Sequence, residues 1–195
     1  MTRSEVNRVP GLECLRLPAG LIEDTAGDLY ETATAVFSPD RQYRYALTRQ
    51  WDTTMPWIAY VMLNPSTADA LLLDPTVARC RSRAQRLSAG GLIVLNLFAV
   101  RATLPADMRA HDDPVGLVND QVIDEYVRAL RPLVVAGWGA DVMVRRTGRD
   151  RDVLRLLDAA GAGVYRIGPA TRAGHPGHPL YMPGVLSLQA HRPVA

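Results

Sequence analysis

Two kinds of hydrophobic pattern divide this chain. From Trp57 onward, four short apolar runs stand out: WIAYVML at 57–63, LIVLNLF at 92–98, LVVAGWGA at 133–140 and VYRIG at 164–168. Continuous runs of this length predict strands buried on both faces. Between them the period changes. Asp74-Pro75 supplies an N-cap and a proline at the first helical position, and Val77, Cys80, Ala84 and Leu87 then recur on one face until Gly90-Gly91 stops the helix. A second helix is predicted over 115–130, with Val118, Val122, Tyr126 and Ala129 on one face, and a third is strongest over 150–159. Upstream of Trp57 the signal is different. ETATAVFS and YRYALTRQW flank the turn residues Ser38-Pro39-Asp40, and Tyr43, Tyr45 and Leu47 alternate, which predicts a hairpin. Residues 1–28 show no period and read as an N-terminal arm.

Buried strands alternating with helices predict an α/β fold, a three-layer sandwich. It would have a mainly parallel four-stranded sheet, helices on both faces, and the N-terminal β-hairpin as an antiparallel addition at one edge. No solenoid period interrupts the pattern, so residues 29–195 read as a single α/β domain.

Composition narrows the class. A chain of 195 residues that is 48% hydrophobic suits one globular domain with a sizeable core. A formal net charge of +2 is too small to argue for nucleic acid by itself. Cys14 and Cys80 are too few for a disulfide scaffold and read as free thiols in a reducing cytoplasm. The N-terminal stretch lacks the apolar core of a secretory signal, and no run is long enough to cross a membrane. A soluble, cytoplasmic protein without a membrane partner is expected, with its oligomeric state left open.

In a parallel sheet, ligands bind outside the carboxyl ends of the strands. The unusual polar residues follow strands here. Asn64-Pro65-Ser66 follows the first, Asn96 ends the second with Arg101 after it, Gly137-Trp138-Gly139 ends the third, and GHPGHPLY with His175 and His178 follows the fourth. Each has a structural reading as well. Asn64-Pro65 can simply turn the chain, Asn96 can be a satisfied core amide, and Trp138 can pack at a glycine corner. The glycines lack GxGxxG spacing, so no dinucleotide cofactor is expected, nor any other. The i, i+3 histidines do not have the helical zinc spacing, and a metal site would need Asp69, Asp74, His111 or Asp112 from elsewhere. A rigid loop that presents one histidine as a hydrogen-bond donor or acid/base group fits better, without metal. Arg79, Arg83 and Arg86 lie at i, i+4 and i+7 on one helix face, either a solvated face or a phosphate-contacting stripe.

Several of these motifs together, YRYALTRQW, MLNPSTAD, DPTVARC, GGLIVLNLFAVRAT, VVAGWGA and GHPGHPLY, resemble the bacterial domain-of-unknown-function family 1643, from about Tyr43 to Tyr181. That family carries no assigned activity. The order of motifs also resembles the uracil-DNA glycosylase superfamily. Met62-Leu63-Asn64-Pro65 is similar to its Gly-Ile-Asn-Pro motif, Leu95-Asn96 to its base-reading Asn, Arg101 to Pro105 to a basic stretch after that Asn, and His175-Pro176-Gly177 to its His-Pro-Ser loop, with His178-Pro179 as a second alignment. Met62 stands where that motif has glycine and Gly177 where the loop has serine. With no apolar wedge either, these departures weigh against duplex DNA and base flipping.

The resemblance implies an N-glycosidase acting on a nucleobase in DNA or in a nucleotide. Asn64 would position water, with Pro65 and Ser66 beside it. Asn96 would read the base, His175 would stabilise the leaving base, Trp138 would form a wall, and the arginines would hold phosphate. Fixed donors that meet a developing anion in a dry site are the large catalytic term in such a reaction. Two alternatives remain: a module of the same fold that binds a nucleic acid or modified nucleotide without cleaving it, and a metal-assisted hydrolase using His175, His178 and a carboxylate.

Overall fold

The computed structural model describes residues 11–66 and 72–191. They form a mixed α/β protein built on one eight-stranded sheet with five helices. The strands are β1 (Ile22–Gly27), β2 (Thr32–Phe37), β3 (Arg44–Gln50), β4 (Trp57–Met62), β5 (Gly91–Asn96), β6 (Leu133–Ala136), β7 (Val164–Ile167) and β8 (Leu188–Ala190). The helices are α1 (Pro75–Arg86), α2 (Pro105–Ala110), α3 (Asn119–Leu130), α4 (Val142–Thr147) and α5 (Arg149–Ala159). The strand order is β1-β2-β3-β5-β4-β6-β7-β8.

The four apolar runs are the parallel centre, β5-β4-β6-β7. All six residues of β4 and all six of β5 are buried, which is why those runs are continuous rather than alternating. Successive side chains go to opposite faces. Ile58, Tyr60 and Met62 join Val77, Cys80 and Ala84 of α1 in one core, while Ala59 and Val61 join Val122, Tyr126, Val153 and Leu157 of α3 and α5 in the other. Helices therefore cover both faces of the sheet.

The sheet is wider and more mixed than four parallel strands with a hairpin. β2 and β3 are the expected hairpin, and β3 pairs antiparallel with β5. Ile22–Gly27, inside the expected arm, adds β1 to the hairpin, and β8 pairs antiparallel with β7 at the far edge. Neither edge strand has a buried position, so neither carries the apolar pattern that reveals a strand. Helix boundaries differ as well. α1 starts at Pro75 as expected, with Asp74 Oδ1 accepting the Val77 N–H at 2.8 Å. It ends at Arg86; Ser88 takes the left-handed turn (φ 56°), so Leu87 is exposed and Gly91 opens β5 instead of capping the helix. α3 begins at Asn119 rather than near 115. The polar stretch before it holds the short α2, pinned by fully buried Met108, and α4 precedes α5 as a separate turn.

The hairpin also breaks its own alternation. A bulge between Val36 and Phe37 shifts the register against β3. Tyr43 and Tyr45 lie together on the α3/α5 side, their rings 6.0 Å apart, whereas Leu47 lies in the α1-side core. The three were expected on one face. Arg44, between the two tyrosines and paired with Phe37, is thereby turned to the α1 side.

Candidate functional site

The loops that leave the parallel strands meet at one edge of the sheet and are laced together by backbone. Leu97 N–H donates to Met62 O (2.8 Å), Phe98 N–H to Leu63 O (3.0 Å) and Ala102 N–H to Pro65 O (3.0 Å). The Asn64 side chain joins this lacing: its Nδ2 donates to Pro65 O at 3.0 Å and to Ala102 O at 2.9 Å. Both amide hydrogens are thus engaged in holding two loops, and the oxygen is the part of the side chain not committed to them. Gly137 N–H donates to Val61 O at 2.8 Å, and Pro179 packs so closely on Gly137 that a Cβ there would come within 2.8 Å of its ring. The glycine corner lets the histidine-bearing loop fold down over β6.

On the α1 side of this edge lie two buried polar side chains without partners. Asn96 follows Leu92 and Val94 at alternate positions, both in the α1-side core, and so shares their face. It is 1% exposed, and neither Nδ2 nor Oδ1 has a hydrogen-bond partner among the described residues. Arg44 is 3% exposed, and no described carboxylate lies within ion-pair distance of it. Its backbone N–H donates to Ala99 O at 2.9 Å, which ties the start of β3 to the loop after β5. Burial pushes its guanidinium down to about 10, against the pull of Asp74, so it remains charged at neutral pH.

Asp74 links this side electrostatically. Its charge acts on Arg44 and also on His178, whose ring burial nonetheless holds below the ordinary value of 6.5. His178 Nδ1 accepts the Leu180 N–H at a long 3.4 Å, which leaves the proton of the neutral ring on Nε2. Arg101 stacks over Phe37 (5.3 Å to the ring centroid) and donates to Arg41 O at 3.0 Å. Pro65 is buried and Ser66 half-buried at the end of the β4 loop. Asp69 lies outside the described residues. Among those described, no group of three His, Cys, Asp or Glu residues is placed to hold a metal ion.

His175 and Trp138 belong to the other side. His175 Nδ1 is 3.9 Å from Asp150 Oδ2 in the first turn of α5, and its backbone is held by Thr171 through N–H to Oγ1 (3.1 Å). Trp138 is 2% exposed in the α3/α5-side core, its ring edge-on to His191 at 5.5 Å. His178, rather than His175, thus shares a charged neighbour with the side that Asn96 faces. Gly177 has a local reason: any side chain there would run into Met182, which packs against the α1-side core. A serine there would require the Met182 side chain to move.

The helix-face arginines divide. Arg83 is buried, and its guanidinium donates to the carbonyls of Pro183 (2.9 Å), Leu186 (2.8 Å) and Gly184 (3.4 Å). It clamps the segment before β8 and does not stand on a solvated stripe. Arg79 and Arg86 are exposed, reaching Met182 O (3.4 Å) and Ser82 Oγ (3.0 Å).

The model of the family described as protein of unknown function, DUF1643, matches residues 44–180. The chain belongs to this family. The matched span contains Arg44, Asn64, Asp74, Asn96 and His178 and stops short of His191. No curated protein and no solved structure matches the chain. No helix among the described residues is long and apolar enough to cross a membrane.

Sequence reasoning reached Asn64, Asn96 and the histidine loop but passed over Arg44. Its signal was present: a cation between two tyrosines in an otherwise strand-forming run. The buried pair Asn119 and Arg149 was passed over too. Asn119 Nδ2 donates to Asn96 O (3.1 Å) and Leu97 O (3.3 Å), Arg149 Nε donates to Leu97 O (2.9 Å), and Arg149 also pairs with Asp120.

Proposed function

We propose that this protein is a nucleobase-recognising N-glycosidase whose site lies on the α1 side of the strands' carboxyl edge. The observation that carries the reading is Asn96. A fully buried amide with no partner for its donor or its acceptor costs about 1–3 kcal/mol of stability for each stranded group. Such an amide presents a donor and an acceptor side by side, which is the complement of a base edge. In this reading Asn96 recognises the base. The neutral His178 ring, with its proton on Nε2, donates to the oxygen of the departing base, a role first expected of His175. Asn64, oriented by its two carbonyl contacts, offers Oδ1 to a water.

The reaction balances without a cofactor. The C1′–N bond breaks with its electron pair going to the base, water adds to the cationic C1′, and the proton released by that water neutralises the base anion. The order of motifs, which resembles that of the uracil-DNA glycosylase superfamily apart from Met62 and Gly177, suggests the same set of roles.

A second reading is a module that binds the same ligand without cleaving it. Met62 favours it: it is 6% exposed on the same face as Asn96 and fills space that a glycine would leave to a ligand. Mass spectrometry of small products separates the two. The protein is incubated with nucleotides and with single- and double-stranded oligonucleotides carrying normal and damaged bases, beside Asn64→Ala and Asn96→Ala variants. Free base released by the wild type and by neither variant is the expected result. Binding that survives Asn64→Ala, with no free base from any substrate, selects the second reading.

A further inference from the structure

We infer that Arg44 is the receptor for an oxyanion on the ligand, a phosphate monoester bound beside Asn96 on the α1 side, so that the site takes a nucleotide rather than a free base or nucleoside. The nucleotide half of this inference rests on the reading of Asn96 given above; the oxyanion half stands on Arg44 alone.

Four arginines are buried among the described residues: Arg44, Arg49, Arg83 and Arg149. Three are matched to the fold. Arg49 pairs with Glu31 at 2.7 Å, Arg83 clamps three backbone carbonyls, and Arg149 holds Leu97 O and Asp120. Arg44 is the least exposed of the four, at 3%, and its side chain has no hydrogen bond or ion pair with a described residue; its Nε is enclosed without an acceptor. A guanidinium has five donors in a fixed fork that matches two oxygens of a phosphate or carboxylate. No described residue makes use of that fork.

Its aim is not accidental to the strand. Simple alternation from Leu47 would send Arg44 to the α3/α5 side. The bulge at Val36/Phe37 reverses this, and Arg44 comes to the face that holds Phe37, Met62 and Asn96. Bulges beside sites commonly re-aim one side chain in this way. The pairing then brings Arg44 to the same edge as Asn96, because β3 runs antiparallel to β5, with Arg44 at its start and Asn96 at the other strand's end. The charged groups that act on Arg44 are Asp74, which attracts it, and Arg101, which repels it. Asp74 is itself engaged as the α1 cap rather than paired with Arg44. A bound phosphate completes the arrangement: Arg44 grips it by the fork while Asn96 meets the base.

The test uses the full chain and begins with inorganic phosphate. Melting is followed in phosphate and in chloride at matched ionic strength, for wild type, Arg44→Met and Arg44→Lys. Equilibrium dialysis then compares the nucleoside 5′-monophosphates of all the common bases with the matching nucleosides. Phosphate should raise the melting temperature of the wild type, not at all in Arg44→Met and less in Arg44→Lys, which keeps the charge without the fork. Monophosphates should bind at least about tenfold more tightly than their nucleosides, a gap that Arg44→Met closes. Nucleosides and monophosphates binding equally would overturn the role of Arg44 and leave the base-reading site standing. Phosphate binding that depends on Arg44, with no contribution from any base, would support Arg44 and remove the proposed function. No response of the wild type to phosphate overturns the inference even if neither variant folds.

Discussion

Two pairs of buried residues face each other across the same edge of the sheet, and they are chemically alike. On the α3/α5 side are Arg149 and Asn119; on the α1 side are Arg44 and Asn96. All four are under 10% exposed. Arg149 and Asn119 converge on the carbonyls of Asn96 and Leu97 at the end of β5, and Arg149 is charge-matched by Asp120. That pair is architecture: it satisfies backbone that the strand leaves open where pairing stops. The side chains of Arg44 and Asn96 satisfy no described group. Burial and residue type are equal in the two cases, so neither separates a structural polar group from a functional one. In the proposed reading the difference is that Arg149 and the Asn119 Nδ2 have acceptors, while Asn119 Oδ1, like both polar side-chain atoms of Asn96, has no partner among the described residues.

The comparison can be broken by mutation, and the signs should be opposite. The largest effects belong to the partnered groups. Arg83→Met removes the donor from three backbone carbonyls, and Arg149→Met removes a donor from Leu97 O and the partner of Asp120; each should lower unfolding free energy by about 2–3 kcal/mol in chemical denaturation. On the other face, Asn96→Leu should raise it by about 1–2 kcal/mol, since an apolar side chain of similar size relieves an unpartnered amide. Arg44→Met should act in the same direction and lose its phosphate response. Destabilisation by Asn96→Leu as large as that by Arg149→Met would erase the distinction between the faces.

A smaller effect comes from pH. Burial first, and for His191 the nearby Arg166 as well, hold His178 and His191 below 6.5 in the folded protein. The unfolded chain therefore takes up protons first as pH falls. Stability contributed by the neutral rings is complete above about pH 6.5 and declines as pH drops toward the folded values. The melting temperature should fall on that side, and His178→Gln should flatten part of the slope. The smallest effects belong to Arg79→Ala and Arg86→Ala, within about 0.5 kcal/mol, because both side chains are exposed and weakly held. A phosphate-induced melting shift that survives both variants would separate Arg44 from the helix-face arginines.

The legible parts of the site share one property: local sequence reveals them. Asn96 stands out as a single amide in an apolar run, and Asn64 stands out because proline follows it. GHPGHPLY stands out by composition, but composition does not say which histidine turns to which face. The loop runs from Asp150's neighbourhood at His175 to Asp74's at His178, so the two rings attend opposite sides of the sheet. The arginine stripe misled for a similar reason. Helical spacing puts Arg79, Arg83 and Arg86 on one face, but the segment at 183–186, remote in sequence, returns to cover the middle one.

What the sequence by itself determined is the parallel centre of the sheet, the start of α1 and the edge at which polar residues gather. Those follow from burial on both faces, from capping chemistry and from strand-loop order, all of which are short-range. The edge strands β1 and β8 and the aim of Arg44 were decided only in three dimensions. Edge strands are recruited by the open hydrogen bonds of a neighbour and need no apolar pattern of their own. Arg44 shares the face of Asn96 because one extra residue in the pairing of β2 with β3 reverses the alternation, and a register is a relation between two strands that neither one carries alone.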